Sequence, residues 1–221
     1  MRIGVFGATG VIGSRVVTEA TSRGHQVTAF TRGSAWTPAE NVTWRTVDPL
    51  DADDVAGVIG GLDVLVNALN AGRGIPDTIA NADVLPSAAR SLLEALNRHP
   101  AIRLIVIGGA GSLEVRPGLQ VADVEGFAES LPVNLGVPVE YAKVVEAGRE
   151  ALALYRLSNR NWTYLSPSSG LIEPGPRTGR FRIGGNQLLT GEDISAEDVA
   201  VAVIDEAELP RHVQRRFTVG Y

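Results

Sequence analysis

The chain has 221 residues, enough for one domain with a full hydrophobic core, and its net charge of −5 argues against non-specific nucleic-acid binding. Hydrophobic residues make up 44% and charged residues 20%, an ordinary globular balance. The absence of cysteine removes disulfides, thiolate nucleophiles and Cys-ligated metals. His25, His99 and His212 lack ligand spacing, no apolar run reaches the roughly 18–20 residues of a membrane span, and Arg2 followed by a glycine-broken strand does not read as a signal peptide. The expected address is cytoplasmic, with no metal.

The first expected element is a strand over 2–6. It runs into Gly7-Ala8-Thr9-Gly10-Val11-Ile12-Gly13 and a helix over 10–23 closed by Gly24. Strand, glycine turn, helix is the order that phosphate binding requires. One glycine permits the sharp turn, one lets backbone approach a pyrophosphate, and one lets helix pack on strand. Unpaired N–H groups at the helix start then face the anion. Gly7, Thr9, Gly10, Val11 and Ile12 are therefore the expected pyrophosphate cradle. The spacing is GxxGxxG, with Gly10 one place later than in GxGxxG.

Further strands are expected at 26–31, 42–47, 63–69, 102–107 and 162–166. Helices are expected after Asp51, over 85–98 and over 139–158. Val64-Leu65-Val66 and Leu104-Ile105-Val106-Ile107 are apolar on both faces, as central parallel strands are. The alternation predicts an α/β, Rossmann-like doubly wound parallel sheet in a single domain, 1–221. Residues 167–195, rich in Pro and Gly, are too long for a plain connection and read as a lid or small substrate lobe, with a short strand near 181–183. A helix over 196–207, capped by Ser195, and a strand over 216–220 complete the chain. The basic cluster Arg211, His212, Arg215 and Arg216 reads as a solvated face beside that last strand.

Strand two ends Thr31-Arg32-Gly33-Ser34, without the carboxylate that holds ribose hydroxyls in NAD-binding relatives of this architecture. Arg32 can pair with a 2′-phosphate and stack on adenine, and Thr31 and Ser34 offer hydroxyls, so NADP(H) is favoured over NAD(H). Asp48 is placed to accept from the adenine amino group. Asn67, Ala68, Leu69 and Asn70 close strand four beside the expected adenosine ribose. Ser166, Pro167 and Ser168 follow strand six at the carboxyl edge, where the nicotinamide pocket is expected. Trp162 and Tyr164 read as packing residues.

The Gly7–Gly13 turn with Thr31-Arg32, the segment Ile107-Gly108-Gly109-Ala110-Gly111-Ser112-Leu113 and the segment Asn161-Trp162-Thr163-Tyr164-Leu165-Ser166-Pro167 resemble the atypical short-chain dehydrogenase/reductases. Within them the chain is similar to the NAD(P)H-binding group that carries the NADH-flavin reductase label, itself similar to flavin/biliverdin-IXβ reductases and NmrA-like regulators. The resemblance runs through Glu173–Gly179 to Arg216–Val219. It implies a Rossmann-like fold, NADP(H), a reductase or cofactor-sensing role, and Gly108, Gly109 and Ala110 at the cofactor.

The wider superfamily commonly uses Tyr-x-x-x-Lys on the helix after strand five. Four residues turn a helix by about 400° and so share a face. Tyr141 and Lys143 are two apart, which puts them on opposite sides of a regular helix unless the helix starts between them. Tyr155 is followed at +4 by Asn159, so the standard pair is missing. Reducing a ketone needs a proton donor at the developing alkoxide, whereas a flavin or quinone spreads the charge and takes its proton from solvent. The expected activity is hydride transfer from NAD(P)H to such a conjugated small molecule. Ser112 and Tyr141 are the candidate catalytic residues, and Arg177 and Arg180 could meet an anionic substrate. A non-catalytic NADP(H) sensor and a sugar-nucleotide epimerase or dehydratase are the alternatives. No nucleic-acid or membrane partner is expected, and the oligomeric state is open.

Overall fold

Strands that are apolar on both faces need cover on both faces. In the computed structural model, which describes residues 1–33, 39–168 and 170–221, an eight-stranded sheet has that cover. The parallel strands are β1 (Arg2–Phe6), β2 (Gln26–Thr31), β3 (Val42–Thr46), β4 (Val64–Asn67), β5 (Arg103–Ile107), β8 (Trp162–Pro167) and β10 (Arg215–Gly220). The order is β3-β2-β1-β4-β5-β8-β10-β9, and β9 (Arg182–Gly184) is antiparallel to β10. This is the doubly wound Rossmann-like sheet expected from the alternation.

Alternation along each strand feeds two cores. Ile3, Val5, Val64, Val66, Ile105, Leu165 and Phe217 pack under α1 (Val11–Ser22) and α7 (Ala196–Glu208). Phe6, Leu65, Leu104, Val106, Trp162 and Tyr164 pack under α2 (Ala52–Ile59), α4 (Val84–Arg98) and α6 (Ala142–Leu157). Three elements carry no strong periodic signal in the sequence. They are the six-residue α3 (Ile75–Ala80), α5 (Phe127–Asn134) with Pro132 inside it, and the hairpin of β6 (Glu114–Arg116) and β7 (Leu119–Gln120). Each is short and buries little, so tertiary packing rather than an apolar stripe holds it.

Strand four ends two residues earlier than expected, because Asn67 Oδ1 accepts the Leu69 N–H at 3.1 Å and turns the chain. Helix α6 starts at Ala142, after a single 3-10 turn over Val139–Tyr141.

The Pro/Gly-rich stretch divides in two. Residues 173–180 form a strap along α1 and α7. Arg177 grips Glu19 through Nε and Nη2, both at 2.7 Å. The Thr178 and Gly179 N–H groups donate to Asp198 Oδ1 at 2.9 and 2.8 Å. Asp198 is fully buried, and its other oxygen accepts from the Tyr221 hydroxyl. Residues 186–189 instead border the carboxyl edge. Asn186 O accepts the Glu114 N–H, and the Leu188 N–H returns to Glu114 O.

The opposite edge is locked by Glu206, which is 4% exposed. It pairs with Arg103 and accepts from the Arg211 and His212 N–H groups at 3.0 and 2.9 Å. His212 is thus drawn out of the basic cluster and stacks on Phe217.

The Arg177 guanidinium, opposed by burial and joined by Arg23, holds the Glu19 carboxyl below its ordinary value. A depressed carboxyl stabilises the fold above its unfolded pKa and loses that contribution as pH falls through the folded value. Glu19→Gln is therefore expected to lower Tm by roughly 3 °C near neutral pH. The gap to wild type should close as pH drops on the acid side of 4.5. Melting curves across that range check the sign, and a gap that widens in acid would contradict it.

Candidate functional site

The carboxyl ends of β1, β2, β4 and β5 converge on the glycine turn. Gly7 has φ +73°, and a Cβ there would lie far inside van der Waals contact with the Ala68 carbonyl at the end of β4. A Cβ on Gly13 would intrude equally on the Gly7 carbonyl. These two glycines are demanded by the protein itself. Gly10 differs: a Cβ there would meet only Gly7 O, at 3.2 Å, while the Gly10 N–H donates to that oxygen at 2.9 Å. Thr9, Gly10 and Val11 are exposed, and Ile12 packs partly on the core. Helix α1 starts at Val11 behind its N-cap Gly10, and no side chain among the described residues claims its first-turn N–H groups.

At the end of β2, Thr31 Oγ1 accepts the Gly33 N–H at 3.1 Å. Arg32 is exposed, and its guanidinium has no hydrogen-bond or ion-pair partner among the described residues. Ser34 lies outside those residues. The register Thr31↔Thr46 brings exposed Asp48 to the neighbouring strand end. There its Oδ1 accepts the Leu50 N–H at 2.9 Å. At the end of β4, Ala68 N donates to Phe6 O at 3.1 Å. Buried Asn67 donates to the Tyr155 hydroxyl at 3.3 Å, and Asn70 Oδ1 accepts the Ala71 N–H at 2.9 Å. Leu69 is half-buried and Asn70 exposed.

After β5, Gly108 must lack a side chain because the Tyr164 phenol occupies that space. Burial pushes the Tyr164 hydroxyl up to about 12. Gly109 is exposed and Ala110 half-buried beside it. Ser112 is 7% exposed, and its Oγ accepts from Arg216 Nη1 at 2.8 Å while its carbonyl accepts from the same nitrogen at 2.6 Å.

Arg216 itself is 7% exposed, so the expected solvated basic face does not extend to it. The signal was in the sequence: period two along β10 puts Arg216 on the same inward face as Thr218. Burial, then the like charge of Arg156, push this guanidinium's pKa down.

Tyr141 stands in the 3-10 turn and Lys143 in the first turn of α6, so the helix does start between them. They still do not meet. Tyr141 packs on the small apolar cluster of Ala82, Val144 and Ala147, and burial raises its pKa. Lys143 is exposed and lines, with Ser112 and Gln120, a cleft of about 840 Å³ between α4 and α6.

Ser166 and Pro167 are buried at the end of β8. Ser166 Oγ has no partner among the described residues, and Ser168, two residues on, is tied to the backbone of Leu189 at 2.8 and 2.9 Å. Arg177 is engaged by Glu19, and Arg180 is exposed. Among the described residues no group of His, Asp or Glu is placed to hold a metal, and no helix is long and apolar enough to cross a membrane.

The glycine turn and the strand ends around it lie within a match to the NAD(P)H-binding family model over residues 7–210. The chain belongs to the NAD(P)H-binding family. It is 33% identical to the uncharacterized protein YwnB of Bacillus subtilis (strain 168), over 99% of this chain and 98% of that one. A solved structure from Burkholderia pseudomallei, described as a candidate exported protein, matches at 37% identity and TM-score 0.82 over the full length of both chains. A candidate epimerase from Bacteroides thetaiotaomicron matches at 31% identity and TM-score 0.82, over 100% of this chain and 96% of that one. A candidate NADH-flavin reductase from Streptococcus pneumoniae TIGR4 matches at 28% and 0.77, over 99% and 98%.

Within this NAD(P)H-binding protein the glycines divide by purpose. Gly13→Ala is expected to destabilise the fold by about 3 kcal/mol through overpacking. Gly10→Ala should cost roughly 1 kcal/mol or less, yet weaken dinucleotide binding by filling the open face of the turn. Melting temperatures and NADPH titrations of the two variants check this. Equal binding by Gly10→Ala and wild type would contradict it.

Proposed function

We propose that this chain is an NAD(P)H-dependent oxidoreductase, with NADPH preferred over NADH, that passes hydride to a small conjugated acceptor, a flavin or a quinone. The residues present fit a dinucleotide. The closed Gly7–Gly13 turn, the open face of Gly10 and the unclaimed N–H groups of α1 form a cradle for a pyrophosphate. Arg32, without a partner among the described residues, would take the 2′-phosphate beside the Thr31 hydroxyl. Asp48 would accept from the adenine amino group, and Ala68–Asn70 would border the adenosine ribose. Gly108, Gly109 and Ala110, with Ser166 and Pro167 beneath the 186–189 crossing, would border the nicotinamide end.

When bound, the cofactor supplies the hydride. The chain's own residues decide what can receive it, and Tyr141 is the observation that carries this choice. A tyrosine held in an apolar cluster and made a weaker acid by burial is a poor proton donor to an alkoxide. An acceptor that delocalises the incoming charge needs no such donor, and proximity is then the main contribution. The likeness to a candidate NADH-flavin reductase supports the same choice. The likeness to a candidate epimerase supports a second reading, action on a nucleotide-linked sugar.

Arg32→Ala is expected to weaken NADPH roughly 10–100-fold, the worth of a charge-assisted contact, while NADH shifts little. Fluorescence titration with both nucleotides tests the assignment, and equal weakening of the two would sink it. In wild-type protein, loss of reduced-nicotinamide absorbance should be stimulated by FMN, riboflavin or a quinone. Tight binding with no oxidation by any of them would favour a cofactor sensor, and conversion of a nucleoside-diphosphate sugar would favour the second reading.

A further inference from the structure

Arg216 is a buried cation without an ion-pair partner among the described residues. It stands on β10 opposite Tyr164. Nη1 donates to the Ser112 carbonyl and hydroxyl oxygens at 2.6 and 2.8 Å. Nε donates to Asn186 Oδ1 and Nη2 to Asn186 O, both at 3.1 Å. All of these acceptors are neutral, and no carboxylate forms an ion pair with Arg216 among the described residues. The titratable groups that influence it are Arg156, of like sign, then the Tyr164 phenol and Glu114, which is not hydrogen-bonded to it. Burying a cation on neutral partners is costly.

The direction of the hydrogen bond to Ser112 matters. Ser112 Oγ accepts from Arg216, and its own proton has no acceptor among the described residues. A hydroxyl that accepts from a cation becomes a stronger donor, because the bonds polarise one another. Ser112 lies on the wall of the cleft between α4 and α6, as does Gln120, whose Oε1 is buried and unpartnered. On the same cleft Arg149 is paired with Glu146 and Asp123, and Glu150 with Arg90. Lys143 and Arg156 form no ion pair among the described residues, and Asp83 is the remaining acidic lining residue. The lining is balanced in sign, with Lys143, Arg149 and Arg156 against Asp83, Glu146 and Glu150.

We propose that Arg216 and Ser112 together form a charge-assisted hydrogen-bond donor for the carbonyl oxygen of the acceptor, and for the negative charge that collects on it. Ser112 is the residue that touches the substrate, and Arg216 is the positioning residue behind it. The inference rests on reading the cleft as the acceptor end of a reductase. A quinone that takes a hydride becomes the hydroquinone anion, while the reduced nicotinamide becomes the oxidised form. The anion's oxygen is the atom held by Ser112, and one proton from solvent completes the hydroquinone. Such donors act where charge develops, in the way an oxyanion hole does.

The test needs no turnover. 4-Nitrophenol, titrated against the full chain without nucleotide, reports its ionisation by the phenolate absorbance, and nitrobenzene serves as the same ring without the oxygen. Wild-type protein should bind 4-nitrophenolate roughly tenfold or more tighter than nitrobenzene and lower the bound phenol's apparent pKa. Ser112→Ala removes one hydroxyl and should abolish that preference with Tm nearly unchanged. Arg216→Gln should abolish it too, and Arg216→Lys should restore part of it. No phenolate preference in wild type overturns the proposal. So does a preference that survives Ser112→Ala, which decides the matter even if the Arg216 variants fail to fold. Titration of wild type with NADPH fails or succeeds independently of this result, so loss of the reductase reading would be recognised separately.

Discussion

The site depends on one close approach, the carbonyl of Ala68 against the bare α-carbon of Gly7. It brings the end of β4 within hydrogen-bonding reach of the end of β1, sealed by Ala68 N to Phe6 O. The chain can then leave β1 through a left-handed residue and begin α1 directly beneath the turn, where Gly13 has no side chain to hold it away. If any of these atoms moved outward by the width of a methyl group, the N–H groups at the start of α1 would no longer face the carboxyl edge. The rest of the sheet supports this geometry from both sides, through two cores of alternating strand residues.

Polar groups inside the fold do two kinds of work. Asp198, Glu19 and Glu206 are buried carboxylates, each surrounded by donors, and each ties a loop or helix end to the sheet layers. Their charges are satisfied where they stand, as buried charges must be. Arg216 is set apart by its surroundings: its bonds are made to neutral oxygens, it lies next to another arginine, and two of those oxygens belong to Ser112 on the cleft wall. Glu19 and Glu206 are paired with arginines, whereas Asp198 and Arg216 have only neutral hydrogen-bond partners among the described residues. The same contrast separates Arg177, engaged by Glu19, from Arg32, which faces solvent beside the glycine turn.

Much of the fold was legible because period-two and period-3.6 patterns survive in the amino-acid order. Val64-Leu65-Val66 and Leu104-Ile105-Val106 read as covered central strands, and Leu92 and Leu96 of α4 as a buried stripe. The elements that were not legible, α3, α5 and the β6–β7 hairpin, are too short to show a period and are set by what they pack against. Strand β4 stopped early because one side chain, Asn67, captured a backbone N–H that a strand would have used. The strap over 173–180 reads as a lid from composition alone, since its Pro and Gly content says nothing about Glu19 or Asp198, which lie elsewhere in the sequence.

Local order thus determined what local forces govern: the strands, the long helices, the glycine turn with its helix, the lack of a carboxylate after β2 and the spacing that denies Tyr141 a lysine on its own helix face. Tertiary structure alone decided which charges meet and which do not. Arg216 lies 104 residues from Ser112, and Arg177 lies 158 residues from Glu19. No pattern within a helix or strand encodes such pairs, because burial and Coulomb attraction act through space after the chain has folded back. That is why the dinucleotide turn could be read along the chain, while the cation behind Ser112 became visible only when β10 had been laid beside β8.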